Sequence, residues 1–298
     1  MILSASRRTD IPAFYGEWLE NRLREGRVQV PNPYRPRQVR ELRFSPGAVD
    51  CLVFWTKDAR PLLPRLGRIA GMGYAFYFQH TLTPYGPEIE PGIRGKRAIL
   101  EGMKRIGAAY GPDALVWRYD PVLLGQGWDV GRHLEAFGQL CRALKGYAGR
   151  CVMSFLDLYP GRMDCRAFAE VPPEARLRLA EGLGKIAAEN GMPIYACAEE
   201  GDYAWYGILP SACIDPVLAS KAAGRPVAAD RDGGQRPGCG CAESIDIGMY
   251  GSCLHGCRYC YASGGRQLRS RAHNPSSLRL LGEEGPEDTV RPLVLRGD

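Results

Sequence analysis

Five of the eleven cysteines lie between Cys239 and Cys260. The last three, in Cys253-Leu-His-Gly-Cys257-Arg-Tyr-Cys260, are separated by three and then two residues. Thiolates at that spacing can wrap three corners of a cubane [4Fe-4S] cluster, leaving the fourth iron without a sulfur ligand from the motif. An iron left open in this way is a place for chemistry. The upstream pair Cys239 and Cys241 sets the alternatives. If one of them caps the fourth iron, the cluster is closed and serves electron transfer or structure. If both stay free, they can bind a second centre, donate a hydrogen atom to a radical, or line the loop. Zinc held by the same sulfurs is a further reading. An odd cysteine count, unevenly spread along a long chain, speaks against a disulfide scaffold and for metal or redox chemistry in a reducing compartment. Cys51, Cys141 and Cys151 sit in apolar or helical stretches and read as core thiols, and His255 as a loop residue.

A second set of chemically capable residues follows short apolar runs. Ser6 is followed by Arg7, Arg8 and Asp10, Trp55 by Lys57 and Asp58, Phe78 by His80, Trp117 by Arg118 and Asp120, Phe155 by Asp157 and Tyr159, and Cys197 by Glu199. Guanidinium forks match carboxylate and phosphate, so Arg7, Arg8 and Arg118 are candidates for fixing an anionic small-molecule substrate. Asp10, Asp120 and Glu199 are candidates for handling protons or for holding those arginines. His80 reads as a structural histidine.

The elements that must position these groups are legible as runs of strand length: Ile2–Ser6, Cys51–Trp55, Tyr74–Phe78, Ala114–Trp117, Cys151–Phe155 and Pro193–Cys197. Helical patterns fill the intervals, among them Glu17 to Arg24 and Pro173 to Asn190. Strands alternating with helices pair in parallel, because a parallel crossover needs about a dozen residues. The expected fold class is therefore α/β, a parallel (β/α) barrel-like domain over residues 1–223. Residues 224–298 are expected to supply a linker, a last strand and the cysteine segment, packed on the barrel. In such a fold the residues after each strand open onto one C-terminal face, so the two sets would share a site.

The net charge of +6 is spread along the chain, with its densest basic stretch at Arg266 to Arg279. A solvated surface accounts for this better than a nucleic-acid interface. No apolar run is long enough to span a membrane, and the first residues lack a basic region before their apolar stretch, so a cytoplasmic location is expected.

The triad, with Tyr259 before its last cysteine, resembles the motif of the radical S-adenosylmethionine enzymes. That resemblance implies that Cys253, Cys257 and Cys260 ligate the cluster. It further implies that S-adenosylmethionine binds the open iron and is cleaved reductively to a 5′-deoxyadenosyl radical, with Tyr259 on the adenine side. A reductant such as flavodoxin or ferredoxin is the implied electron donor. The superfamily usually carries its triad after the first barrel strand, whereas here it comes near the end. The last strand of a closed barrel neighbours the first, so a strand within Ser244–Tyr250 would bring the loop to the same face by cyclic permutation. The whole chain also resembles a bacterial family known as domain of unknown function 1848, through Ser6-Arg-Arg-Thr-Asp-Ile-Pro-Ala13, Trp117-Arg-Tyr-Asp-Pro121, Cys239-Gly-Cys241, Ser244-Ile-Asp-Ile-Gly248 and Cys257-Arg-Tyr-Cys-Tyr-Ala262. The rival classes are a non-catalytic iron–sulfur protein for electron transfer or redox sensing, and a zinc-stabilised nucleic-acid binder.

Overall fold

The computed structural model of the chain describes residues 1–163, 165–236, 238–262 and 273–295. Much of the basic stretch at Arg266 to Arg279 thus lies outside the described residues. The first half contains β1 (Ile2–Ala5), α1 (Ile11–Phe14), α2 (Gly16–Glu25), β2 (Arg27–Pro31), β3 (Gln38–Arg43), β4 (Cys51–Thr56), α3 (Leu63–Gly71), β5 (Phe76–Thr81) and α4 (Lys96–Tyr110). There follow β6 (Leu115–Val122), α5 (Val130–Leu144), β7 (Arg150–Phe155), α6 (Pro173–Glu189), β8 (Ile194–Cys197), β9 (Ile208–Ser211), α7 (Pro216–Ala223), β10 (Ile245–Asp246) and β11 (Thr289–Val294).

Eight strands form one parallel sheet in the order β10-β1-β4-β5-β6-β7-β8-β9. The six expected strands are all present. The unexpected β9 has the sequence Ile-Leu-Pro-Ser, too short and too interrupted to stand out. The C-terminal segment does return to the first strand: β10 pairs in parallel with β1 through Leu3 opposite Ile245 and Ser4 opposite Asp246. Between the end strands the contacts come from the chain that flanks them. Ala242 donates to the Ile214 carbonyl at 2.9 Å, and the N–H groups of Cys213 and Ile214 donate to the Cys241 sulfur at 3.3 and 3.4 Å. The sheet is therefore barrel-like, with a seam where backbone and sulfur stand in for a ladder.

Both faces of the strands are buried, which is why they read as continuous apolar runs rather than as alternation. Outward residues such as Leu52, Phe54, Phe78 and Trp117 pack into the core shared with Leu66, Met103, Phe137 and Leu183 of the surrounding helices. Inward residues Ile2, Val53, Tyr77, Val116 and Val152 form a smaller core with Ile214, Leu218 and Ala219. Helix α7 thus floors the inner face. Asp215 caps it by accepting from the Val217 N–H at 2.8 Å and also pairs with Arg150, at the start of β7, at 2.8 Å. A second sheet, β11-β3-β2, was not expected, because strands such as Gln-Val-Arg-Glu-Leu-Arg carry charge on their exposed positions. Residues after 224 thus contribute one strand to each sheet. Among the described residues no helix is long and apolar enough to cross a membrane.

Strand β10 has only two residues, so side chains must hold it in register. The buried Asp246 carboxylate accepts from Ser4 Oγ at 2.9 Å, Ser6 Oγ at 2.6 Å, the Arg7 N–H at 2.7 Å and the Gly248 N–H at 2.9 Å. Gly248 is required here, since a Cβ would lie 2.0 Å from Ser6 Oγ. Replacing Asp246 by alanine strands two backbone donors and should lower stability by about 2–4 kcal/mol in urea unfolding. A loss below about 1 kcal/mol would show that the carboxylate does not hold the segment.

Candidate functional site

The loop that leaves β10 crosses the segments following β1, β4 and β5, and each of them grips it. Asp10, after β1, accepts from the Ala13 N–H at 3.0 Å as the cap of α1 and from the Lys57 N–H at 2.7 Å, and it pairs with His255 Nε2 at 2.7 Å. The Gly92 N–H donates to the His255 carbonyl at 2.8 Å, and the Arg258 N–H to the Ile89 carbonyl at 3.0 Å. Gly92 permits this approach, because a Cβ there would sit 2.3 Å from that carbonyl oxygen. Cys257 is buried, whereas Cys253 and Cys260 are half-buried. Burial pushes the Cys253 thiol up to about 12 and the Cys257 thiol higher still, with Lys57 opposing the shift at Cys257. All eleven cysteines are free thiols. Among the described residues no three His, Cys, Asp or Glu side chains are spaced to hold a single metal ion as they stand.

Under the loop lies an ionic hub that sequence reasoning missed. Glu90, 1% exposed, accepts from Lys57 Nζ at 2.8 Å, Thr83 Oγ1 at 2.7 Å, Lys96 Nζ and the Tyr259 hydroxyl. Burial alone would raise the Glu90 pKa, but the two ammonium groups hold it at about 2. For Lys57 the balance is similar: burial lowers its pKa, while Glu90, Cys257 and Asp120 more than offset this and raise it. Lys57 therefore lies within electrostatic reach of both the cysteine loop and the inner face. Its place after an apolar run was the available signal; Glu90, in an irregular stretch, offered none. Tyr259 is buried with its hydroxyl on Glu90 and its ring 6.1 Å from that of Tyr85.

The remaining candidate residues divide. Arg118 and Asp120 share the open end of the inner face. Arg118 donates through Nε and Nη2 to Asp120, and through Nη1 to Cys213 Sγ at 2.8 Å, and its guanidinium lies 5.4 Å from the Trp55 ring centroid. Its fork is engaged by Asp120 and Cys213 within the protein. Asp120 also accepts from Ser154, and Arg118 with Ser154 keeps it below the ordinary carboxylate value despite burial. Asp10, with both oxygens committed, clamps the start of α1 to the segment after β4 and to the cysteine loop. Arg7 and Arg8 are more loosely held: Arg7 lies 3.4 Å from Ser244 Oγ and 3.7 Å from Asp232, and Arg8 4.0 Å from Asp246 and 5.5 Å from the Tyr250 ring centroid. Tyr261 of the loop lies within electrostatic range of Arg7 and Asp120. A groove of about 470 Å³ runs past Arg8, between β10 and the small sheet, with Arg40 and Arg291 on its walls and none of the cysteines.

Glu199 is turned toward β7. Ala198 before it adopts φ 52°, a left-handed conformation uncommon outside glycine, and Glu199 accepts from the Phe155 N–H at 2.8 Å with Arg176 at 3.5 Å. Cys239 and Cys241 make their sulfur contacts at the seam: Cys241 with Cys213 and Cys239, and Cys213 in turn with Cys197 at 3.1 Å.

Fold and site together define an α/β barrel-like protein whose C-terminal cysteine loop is docked at the open end of a parallel sheet. The chain belongs to the family described as domain of unknown function (DUF1848), whose family model matches residues 2–262. No curated protein matches the sequence. Among solved structures it is similar to a protein provisionally named an alpha-L-fucosidase from Bacteroides thetaiotaomicron, with 14% identity over 59% of this chain and 74% of that one and a TM-score of 0.23. A likeness that slight carries no argument about fold detail or activity.

Burial raises the Glu199 pKa to about 7 against the Phe155 N–H and Arg176, which lower it. A carboxyl whose folded pKa is raised favours the fold below its unfolded value near 4.5, and that contribution is lost as the pH rises through about 7. Wild-type stability should therefore fall by up to about 3 kcal/mol between pH 4.5 and 8 on account of this group. Glu199→Gln keeps the acceptor for Phe155 and should flatten that part of the profile in urea unfolding. An unchanged slope in the variant would contradict the assignment.

Proposed function

We propose that the chain is a radical S-adenosylmethionine-type enzyme, with Cys253, Cys257 and Cys260 holding a [4Fe-4S] cluster at the barrel mouth and a small anionic molecule as substrate. The observation that carries this reading is the docking of a three-cysteine loop onto the Lys57–Glu90 pair through the Tyr259 hydroxyl, with Lys57 in electrostatic range of Cys257 and Asp120. The donor set fits the group. Three free thiols share one short loop, feel one another's charge and stand at the three-then-two spacing that can wrap three corners of a cubane. When bound, such a cluster with S-adenosylmethionine at its open iron supplies reductive cleavage of the sulfonium.

The chain's own groups have definable tasks. Lys57, anchored on Glu90, offsets the negative charge that deprotonated thiols bring to a buried loop. Asp10 and His255 fix the loop's path, and Tyr259 pins its far end. Arg7 and Arg8, the loosely held guanidinium groups on this side, are the ones suited to an anionic substrate. Glu199, at about 7, is tuned for proton exchange near neutrality. A flavodoxin or ferredoxin in a reducing compartment would supply the electron. The closed-cluster alternative needs a fourth thiolate, and Cys241 instead engages Cys213 and Cys239. The nucleic-acid alternative leans on a basic stretch largely outside the described residues.

Anaerobically purified protein should contain about four iron and four sulfide per chain, and Cys253→Ala, Cys257→Ala or Cys260→Ala should each remove most of both. With a chemical reductant the loaded wild type should release 5′-deoxyadenosine from S-adenosylmethionine. Stoichiometric zinc in place of iron, or a fully loaded protein that yields no 5′-deoxyadenosine, would overturn the reading.

A further inference from the structure

Four cysteines that the proposed cluster does not use come together at the seam of the barrel. Cys197 ends β8, Cys213 follows β9, and Cys239 and Cys241 precede β10. Their sulfurs form a connected group: Cys197 to Cys213 at 3.1 Å, Cys213 to Cys241, and Cys241 to Cys239. Cys213, Cys239 and Cys241 are buried at 2%, 7% and 3% exposure, and Cys197 is half-buried. None of the four is in a disulfide.

The surroundings suit negative sulfur. The Cys241 sulfur accepts from two backbone N–H groups, those of Cys213 and Ile214, and Cys213 Sγ accepts from the Arg118 guanidinium at 2.8 Å. Four thiolates around a divalent ion leave a net charge of −2, and a buried centre of that charge needs such donors. The set contains sulfur alone, which selects a thiophilic ion in tetrahedral geometry over a hard cation.

We propose that Cys197, Cys213, Cys239 and Cys241 form a mononuclear tetrathiolate site for one thiophilic divalent ion, Zn²⁺ or Fe²⁺, that clamps the seam between β9 and β10. Zinc–sulfur bonds of about 2.3 Å place tetrahedral sulfurs about 3.8 Å apart. Cys197 and Cys213, at 3.1 Å, are thus drawn closer than ligands, and an entering ion parts them by about 0.7 Å while displacing their protons. The site is independent of the Cys253–Cys260 loop and survives if that loop holds no cluster.

The test uses full-length protein carrying Cys253→Ala, Cys257→Ala and Cys260→Ala together, freed of metal and titrated anaerobically with Co²⁺ and then Zn²⁺. One Co²⁺ per chain should bind with the strong visible absorption of a tetrahedral thiolate site and be displaced by one Zn²⁺. Adding Cys213→Ser or Cys241→Ser should weaken binding at least about 100-fold, the order of losing a thiolate ligand or more. In the wild-type chain, without any substitution, Zn²⁺ should protect the four seam cysteines together from alkylation while leaving Cys165 as reactive as before. Metal analysis of the triple variant as purified separates zinc from iron, and either ion without sulfide supports the site. The proposal is overturned by any of four results: no stoichiometric Co²⁺ binding, binding indifferent to the seam serines, zinc that protects none of the four thiols, or iron accompanied by acid-labile sulfide.

Discussion

The carboxylate of Asp246 joins the end of the chain to its beginning. A two-residue strand offers too few ladder hydrogen bonds to define register, and a slip of one residue would turn its side chains to the opposite face. Four donors from Ser4, Ser6, Arg7 and Gly248 converge on that carboxylate and remove the ambiguity. The path of the cysteine loop, the position of Arg7 and Arg8, and the approach of Cys241 to the seam all follow from where β10 is held.

Once docked, the loop is retained by buried charge as well as by the packing of Cys257 and Tyr259 into the core. A lone buried carboxylate such as Glu90 would be strongly unfavourable; with two ammonium groups, a threonine hydroxyl and the Tyr259 hydroxyl around it, its charge is more than compensated. Breaking one partner leaves the others uncompensated, so the hub behaves as a unit. The Asp10–His255 pair acts likewise at the other end of the loop. Rigid placement of the cysteines is thereby separated from the inner-face group of Arg118, Asp120 and Ser154, and Lys57 is the residue that reaches both.

The parallel sheet was legible because six of its strands are apolar on both faces, which only burial between helices and an inner core explains. The return of the last strand to the first was legible from closure geometry and holds at Leu3 and Ser4. Strand β9 and the small sheet were not, since their burial comes from partners distant in sequence. Cysteine spacing identified the C-terminal loop, but nothing local could show that Cys197 and Cys213 join Cys239 and Cys241, because that grouping exists only once the seam forms. Polarity after each strand marked the right end of the sheet without revealing roles. Asp10 and Arg118 spend their charge on internal partners, and Glu90 and Asp246, which organise the site, lie where no pattern singles them out.

The proposed cluster would turn its fourth iron to the mouth rather than to a sulfur of the protein. Low-temperature electron paramagnetic resonance of the reduced wild-type protein, recorded with and without S-adenosylmethionine, tests this directly. The predicted result is the signal of a reduced [4Fe-4S] centre whose shape changes when S-adenosylmethionine is added, as an open iron requires. A cluster signal identical in both samples, or protein that contains zinc and gives no cluster signal, would contradict it.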